Sequence, residues 1–160
     1  MRQGLGTQLR HLIDLLDGAV SAAYEDVGIA YRPRYTPVMR ALESGAPCTV
    51  SQIAEAAGIT QPAATQTVAL MMREGLLDAA PGVSDARQKL IRLSAHGQAL
   101  LPQLRRCWQA TRAAADSLDR DMSHPLSAAL AEAIAALQTR SFGERIRKAR
   151  ITIDKKQEST

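Results

Sequence analysis

From Leu9 to Ala23 the apolar residues fall at positions 9, 12, 13, 16, 20 and 23, with Arg10, Asp14 and Asp17 on the other side. That spacing marks one face of a helix and predicts a first amphipathic helix. "EDVGIAYRPRYTP", residues 25–37, interrupts it with Gly28, Pro33 and Pro37 and reads as a connector. "TPVMRALES" then predicts a short second helix, with Thr36 as its cap and Pro37 in the first helical position.

Residues 49–77 carry a denser pattern that divides at Gly58. Val50, Ile53, Ala54 and Ala57 keep helical spacing, Thr49 offers a cap, and Gly58 supplies the left-handed residue that closes a helix. Thr60 caps the next helix, Pro62 is tolerated in its first turn, and Ala64, Val68, Met71 and Met72 form its inner stripe up to Gly75. Two short helices joined by a tight glycine turn predict a helix-turn-helix. "LLDAA" and the alternating "KLIRLS" flank the polar loop "PGVSDARQ" and predict a two-stranded hairpin.

Ser94 caps a predicted long helix over about 95–119, its stripe running through Leu101, Leu104, Trp108, Thr111, Ala115 and Leu118. Pro102 lies in its interior, which predicts a kink near Gln98. "RDMSHP" breaks the chain, and a last helix begins near His124 or Pro125, lined by Leu126, Leu130, Ala133, Ile134 and Leu137. "DKKQEST" reads as a polar, frayed end.

At 160 residues the length prior gives one domain, 1–160. Aromatics make up only 3% and alanine is abundant, so close helix packing is expected and the fold class is mainly α with a small hairpin. The net charge of +4 is uninformative as a total, because residues 140–160 hold seven Lys or Arg against three Asp or Glu and account for all of it. Any nucleic-acid partner must therefore be argued from particular positions. No apolar run is long enough for a membrane helix and no secretion signal is visible, so a cytoplasmic location is expected. Cys48 and Cys107 form no metal-ligand spacing, and no phosphate loop, nucleophile elbow or HExxH motif points to catalysis; neither cofactor nor metal nor enzyme activity is expected.

The order helix, helix, helix-turn-helix, hairpin, long helix, helix resembles the MarR family (multiple antibiotic resistance regulators), a winged helix-turn-helix flanked by terminal dimerisation helices. The resemblance covers about residues 5–142. "DARQKLIRLS" matches the family's wing pattern and "ITQPAATQTVALMMREGLL" its recognition helix. It implies a DNA-binding lobe over about 34–94, dimerisation helices over about 5–24 and 95–150, and a homodimer on a pseudo-palindromic operator in double-stranded DNA. On the matching positions, Gln61, Pro62, Ala63, Thr65 and Gln66 face the major groove and Arg87 enters the minor groove from the wing.

Chemistry agrees with that placement: a Gln amide pairs with adenine N6 and N7, Ala63 and Thr65 suit thymine methyls, and Thr60 and Gln61 reach phosphate. Asp85 repels phosphate and instead accepts hydrogen bonds that hold Arg87 and the wing turn. Ser51, Arg73 and Lys89 complete the candidate contacts to DNA. Equally, the capping role of Thr49 accounts for the segment around Ser51, and Glu74 or Asp78 offers Arg73 a surface partner. No groove-facing arginine is present, so dimer spacing and DNA shape must carry much of the specificity.

The resemblance also implies dimer-face roles for Leu9, Leu12, Leu16, Leu126, Leu130, Ile134 and Leu137, and a small aromatic or phenolic effector that releases a repressor. Tyr24, Tyr31, Arg32, Tyr35, Met39 and Trp108, with His96, are the candidate effector residues; ordinary core packing is the competing explanation for most of them. Two alternatives remain: a winged-helix interaction or scaffold dimer without specific DNA binding, and a regulator that senses oxidants through a cysteine.

Overall fold

The terminal helix does form. In the computed structural model, which describes residues 4–80 and 89–158, α1 spans Leu5–Asp26. Of its 22 residues only Tyr24 is buried. A 3-10 turn, Pro33–Tyr35, runs directly into α2, Thr36–Ala41. Thr36 is thereby the first helical residue rather than the cap, and its hydroxyl shares a 3.4 Å hydrogen bond with the Tyr24 hydroxyl instead. The expected capping role fails because Pro33 starts the turn three residues early.

α3, Val50–Ala57, and α4, Gln61–Arg73, form the helix-turn-helix. Thr49 and Gln52 make a reciprocal capping box, and Gly58 closes α3 at φ +65°, the left-handed conformation that favours glycine. The Thr60 hydroxyl accepts from the Ala63 N–H at the start of α4. α4 buries Ala64, Thr67, Val68 and Met71, while Met72 is only half-buried.

β1, Leu77–Ala80, pairs antiparallel with β2, Leu90–Leu93, with Leu77 opposite Leu93 and Asp78 opposite Arg92. Ile91 and Leu93 face the core while Arg92 faces out, as the alternation requires. Cys48 exchanges two backbone hydrogen bonds with Ile91, at 2.9 and 2.8 Å, tying the segment before α3 to the hairpin base. The hairpin tip, residues 81–88, lies outside the described residues, and with it Asp85 and Arg87.

α5 is one helix over Ala95–Asp121, continuous through Pro102. It buries Gly97, Leu101, Leu104 and Trp108, but Thr111 and Leu118 are only half-buried and Ala115 is exposed, so the predicted stripe reaches the core along its first half alone. The chain divides into two compact units, Met1–Gln109 and Ala110–Thr160.

The core of the first unit is built on scarce aromatics. Tyr31 meets Tyr24 and Tyr35 edge to face, at centroid distances of 4.9 and 5.7 Å. Around them pack Val38, Met39, Leu42, Ile53, Met71, Leu77, Ile91, Leu104 and Trp108. In the second unit α6, Leu126–Thr139, buries no residue despite its apolar sequence. Asp119 accepts hydrogen bonds from the Ser127 N–H and hydroxyl, which close the turn into α6 and hold its carboxyl below the ordinary range.

The expectation of a frayed end is corrected by α7, Phe142–Glu158. Its start is a capping box: the Ser141 N–H donates to Glu144 at 3.0 Å and the Glu144 N–H donates to the Ser141 hydroxyl at 3.3 Å. Among the described residues no helix is long and apolar enough to cross a membrane.

The turn that follows α4, the hairpin and α5 meet at one buried residue, Ser94. The Ser94 N–H donates to the Leu76 carbonyl at 3.0 Å, its hydroxyl donates to the Gly75 carbonyl at 2.6 Å, and the same hydroxyl accepts from the Gly97 N–H at 2.9 Å. Gly97 is required there, because a Cβ would overlap the Leu76 carbonyl oxygen. Gly97→Ala is expected to destabilise the protein by about 1–3 kcal/mol, the usual cost of overpacking, seen as a lower urea midpoint at unchanged slope. An unchanged midpoint removes the close approach from the account.

Candidate nucleic-acid interface

α4 presents Gln61, Pro62, Ala63, Thr65, Gln66 and Ala69 to solvent on the side opposite its buried stripe. The groove-facing set expected from the sequence is thus brought together on one exposed surface. Neither α3 nor α4 has an acidic residue in its first turn, so nothing there opposes the positive end of either helix dipole. Such an end attracts a phosphate, while the caps engage the Gln52 and Ala63 N–H groups and Pro62 has none to offer.

Local bonds divide the labour among these residues. The Ser51 hydroxyl donates to the Gln61 side-chain oxygen at 3.2 Å, across the turn of the motif. Gln61 is therefore engaged in holding α3 to α4. The Thr65 hydroxyl donates back to the Gln61 carbonyl at 2.9 Å, which spends its donor inside the helix. Gln66, exposed and one turn further on, is left as the amide best suited to read a base edge. Gln52, beside the cap, is held by the Thr49 N–H at 2.8 Å.

The basic residues separate similarly. Arg73 is exposed at the end of α4 and makes no ion pair among the described residues. Of the partners that the sequence offered it, Glu74 accepts from Arg32 and Tyr35 instead, and Asp78 is the ladder neighbour of Arg92. Lys89 and Arg92 are both exposed.

The residues expected to wall an effector pocket are mostly core. Tyr24, Tyr35 and Met39 are fully buried, and Trp108 nearly so beneath the Arg40 guanidinium, 4.9 Å from its ring. With so few aromatics in the chain, the core takes Tyr24, Tyr35 and Trp108, none of which lines the cleft at Tyr31 and Arg32. Desolvation pushes the Tyr31 phenol well above its ordinary pKa, opposed by Thr36 and Arg40. Neither the Tyr31 hydroxyl nor the Trp108 indole N–H makes a hydrogen bond of good geometry among the described residues.

Tyr31 and Arg32 do line an open cleft of about 470 Å³, together with Ala30, Glu74, Leu76 and His96. Glu74 was missed in the sequence as a residue of this site. It caps the C-terminal end of α4, and its carboxylate accepts from the Tyr35 hydroxyl at 2.9 Å and from Arg32 at 3.0 Å. Burial, then that bond to a carboxylate, raise the Tyr35 pKa. Cys48, half-buried, is placed by the hairpin bridge, and its thiol donates to the Ala46 carbonyl at 3.5 Å. Among the described residues no group of His, Cys, Asp or Glu is arranged to hold a metal.

Comparison with known proteins is consistent with this geometry. Residues 32–88 match a family model described as the MarR family. No curated protein matches the chain. Among solved structures, a Mycobacterium tuberculosis transcriptional regulator, MosR, in complex with DNA is similar at 22% identity, covering 86% of this chain and 99% of that one, with a TM-score of 0.66. The transcriptional repressor CouR bound to a 23-mer DNA duplex is similar at 19% identity, with 84% and 92% covered and a TM-score of 0.60. Wild-type MarR from Escherichia coli gives 16%, 86%, 98% and 0.52. The mainly helical fold with its two-stranded hairpin is the one these proteins share.

The capping box of α3 holds Ser51 beside Gln61, so Thr49→Ala is expected to cost about 1 kcal/mol, the usual value of a lost Thr cap. Chemical denaturation checks it, and a loss below a few tenths of a kcal/mol shows that the cap is dispensable.

Proposed function

We infer, from a winged helix-turn-helix whose residues 32–88 match the MarR family model, that this chain is a homodimeric transcriptional regulator of double-stranded DNA, and a repressor of a pseudo-palindromic operator. The observation that carries this reading is the exposed, acid-free N-terminal half of α4 with Gln66 unengaged. MosR and CouR are each seen in complex with DNA, which supports the same use of the lobe here. In this reading Gln66 reads adenine, Ala63 and Thr65 meet thymine methyls, Thr60, Ser51, Arg73 and Lys89 contact phosphate, and Arg87 of the wing, positioned with Asp85, enters the minor groove.

Dimerisation is supported by what the helices leave uncovered. α1 exposes Leu9, Ile13 and Leu16, with Ile13 54% accessible, and Leu12 is half-buried. α6 exposes Leu130, Ile134 and Leu137, with Ile134 57% accessible, and Leu126 is half-buried. Helices of this length draw most of their stability from packing an apolar face, so both need a covering surface, and a second copy supplies it.

The proposed effector, a small aromatic or phenolic anion, occupies the open cleft against Tyr31, with Arg32 as its counter-charge and His96 beside it. Tyr24, Tyr35, Met39 and Trp108 support that wall from the core.

Duplex DNA from upstream of the chain's own gene is expected to bind with affinity that falls steeply and log-linearly with salt. Gln66→Ala, which removes one base contact from each of two subunits, is expected to reduce that affinity by about 30-fold or more, without moving the melting temperature. Equal binding of random duplex at moderate salt defeats the reading and favours an interaction dimer. Independently, Ile134→Glu is expected to shift the dimer toward monomer in sedimentation velocity; an unaltered dimer places the interface elsewhere.

A further inference from the structure

Where a recognition helix points matters as much as what it carries. α4 is seated on the core through Ala64, Thr67, Val68 and Met71. Two of these are small and one is a flexible methionine, and apolar contact is non-directional, so this seat fixes depth better than tilt. Tilt requires directional bonds at the ends of the helix.

The N-terminal end has the bond from Ser51 to Gln61. At the C-terminal end Glu74 accepts from two residues that lie about forty positions earlier in the chain, Tyr35 and Arg32. Tyr35 is the firmer of these, being fully buried and pinned edge-on by Tyr31, with the Arg32 and Arg34 guanidinium carbons 6.0 and 5.8 Å from its ring centre. A phenol donating to a carboxylate is a charge-assisted bond, stronger than its neutral counterpart. Arg32, with a side chain 58% exposed against 33% for Glu74, adds a weaker and salt-screened pull.

We propose that Tyr35 and Glu74 are positioning residues for DNA recognition, a latch that sets the tilt of α4. The proposal rests on the regulator reading and adds the device that aims its helix. With Gln61 held by Ser51, release of the Glu74 end swings α4 about its N-terminus, and from Gln61 to Gln66 is five residues, roughly 7.5 Å of helix at a rise of about 1.5 Å per residue. Over that length a tilt of about 5° displaces Gln66 by roughly 0.7 Å. Hydrogen bonds to bases hold only within a window of about 0.5 Å, so the contacts made by Gln66 are lost first, while phosphate contacts, being electrostatic, survive.

Tyr35→Phe removes the donor and keeps the packed ring, and water can replace the lost bond at the partly exposed Glu74. Its melting temperature is therefore expected to stay close to that of the parent protein. Affinity for upstream duplex should fall about tenfold, within the range of one base contact, while affinity for random duplex stays unchanged. In a Gln66→Ala background Tyr35→Phe should have no further effect on upstream duplex. A similar loss on both duplexes, or an undiminished loss without Gln66, overturns the proposal.

Spin-label distances test the latch without DNA. In a chain with Cys48→Ala and Cys107→Ala, labels at the exposed Ala69→Cys on α4 and Arg106→Cys on α5 should give a narrow distribution that Tyr35→Phe broadens or shifts. An unchanged distribution overturns the latch whatever the DNA result. A changed distribution in a protein that never prefers upstream duplex leaves the latch standing and defeats the regulator reading instead.

Discussion

The interaction on which the lobe depends is the approach of α5 to the Leu76 carbonyl at Ser94 and Gly97. Leu76 lies in the short turn between the end of α4 at Arg73 and the start of β1 at Leu77, and so joins the two elements proposed to touch DNA. Ser94 bonds both carbonyls there, those of Gly75 and Leu76, and starts the long helix with the same hydroxyl. Burying these groups is acceptable only because each is paired, since an unsatisfied backbone carbonyl inside the protein costs about 1–3 kcal/mol. Gly97 is the steric condition for the arrangement, and the absence of its side chain permits the helix to come that close. Recognition helix, hairpin and α5 therefore share one joint.

The core around that joint is economical. Three tyrosines and the single tryptophan supply the bulk, and Val38, Met39, Leu42, Ile53, Met71 and Leu104 pack around them. Polar residues then fix what apolar packing leaves free. The capping box of Thr49 and Gln52 sets where α3 begins, the pair Ser51 and Gln61 joins α3 to α4, and Tyr35 with Arg32 holds the far end through Glu74. Each of these bonds is local to the surface that carries the candidate contacts.

Much of this was legible in the sequence where the responsible residues are neighbours. Thr49, Gly58, Thr60 and Ser94 announce helix ends by residue type alone, and the alternation of Ile91, Arg92 and Leu93 gives the face of the strand. Ser141 and Glu144 announced α7 equally well, yet the polar tail beyond them suppressed the reading. Thr36 misled because its capping chemistry is real but Pro33 begins the turn before it. The bond between Tyr35 and Glu74 had no such signature, since 39 residues separate the pair and no local period links them. Gly97 was hidden for the same reason: a glycine in a helical stretch shows its purpose only when the carbonyl facing it is known. The effector residues were chosen for their chemistry, and burial, which depends on the whole chain, reassigned most of them to the core.

The energetics of recognition explain why such a lobe would invest in aim. Sequence-specific binding exceeds non-specific binding by about 4–10 kcal/mol, and one bidentate base contact supplies about 1–3. With Gln61 committed to Ser51 and the hydroxyl of Thr65 turned back on the helix, Gln66 is the main amide that each subunit has to offer. In the proposed dimer two copies then give about 2–6 kcal/mol, at the low end of what specificity requires. The remainder falls to half-site spacing and to DNA shape, and both are read by the placement of rigid elements rather than by added contacts. A surface with few base-reading groups gains most from holding each in one orientation, and that is the use to which its buried tyrosine and paired serine are put.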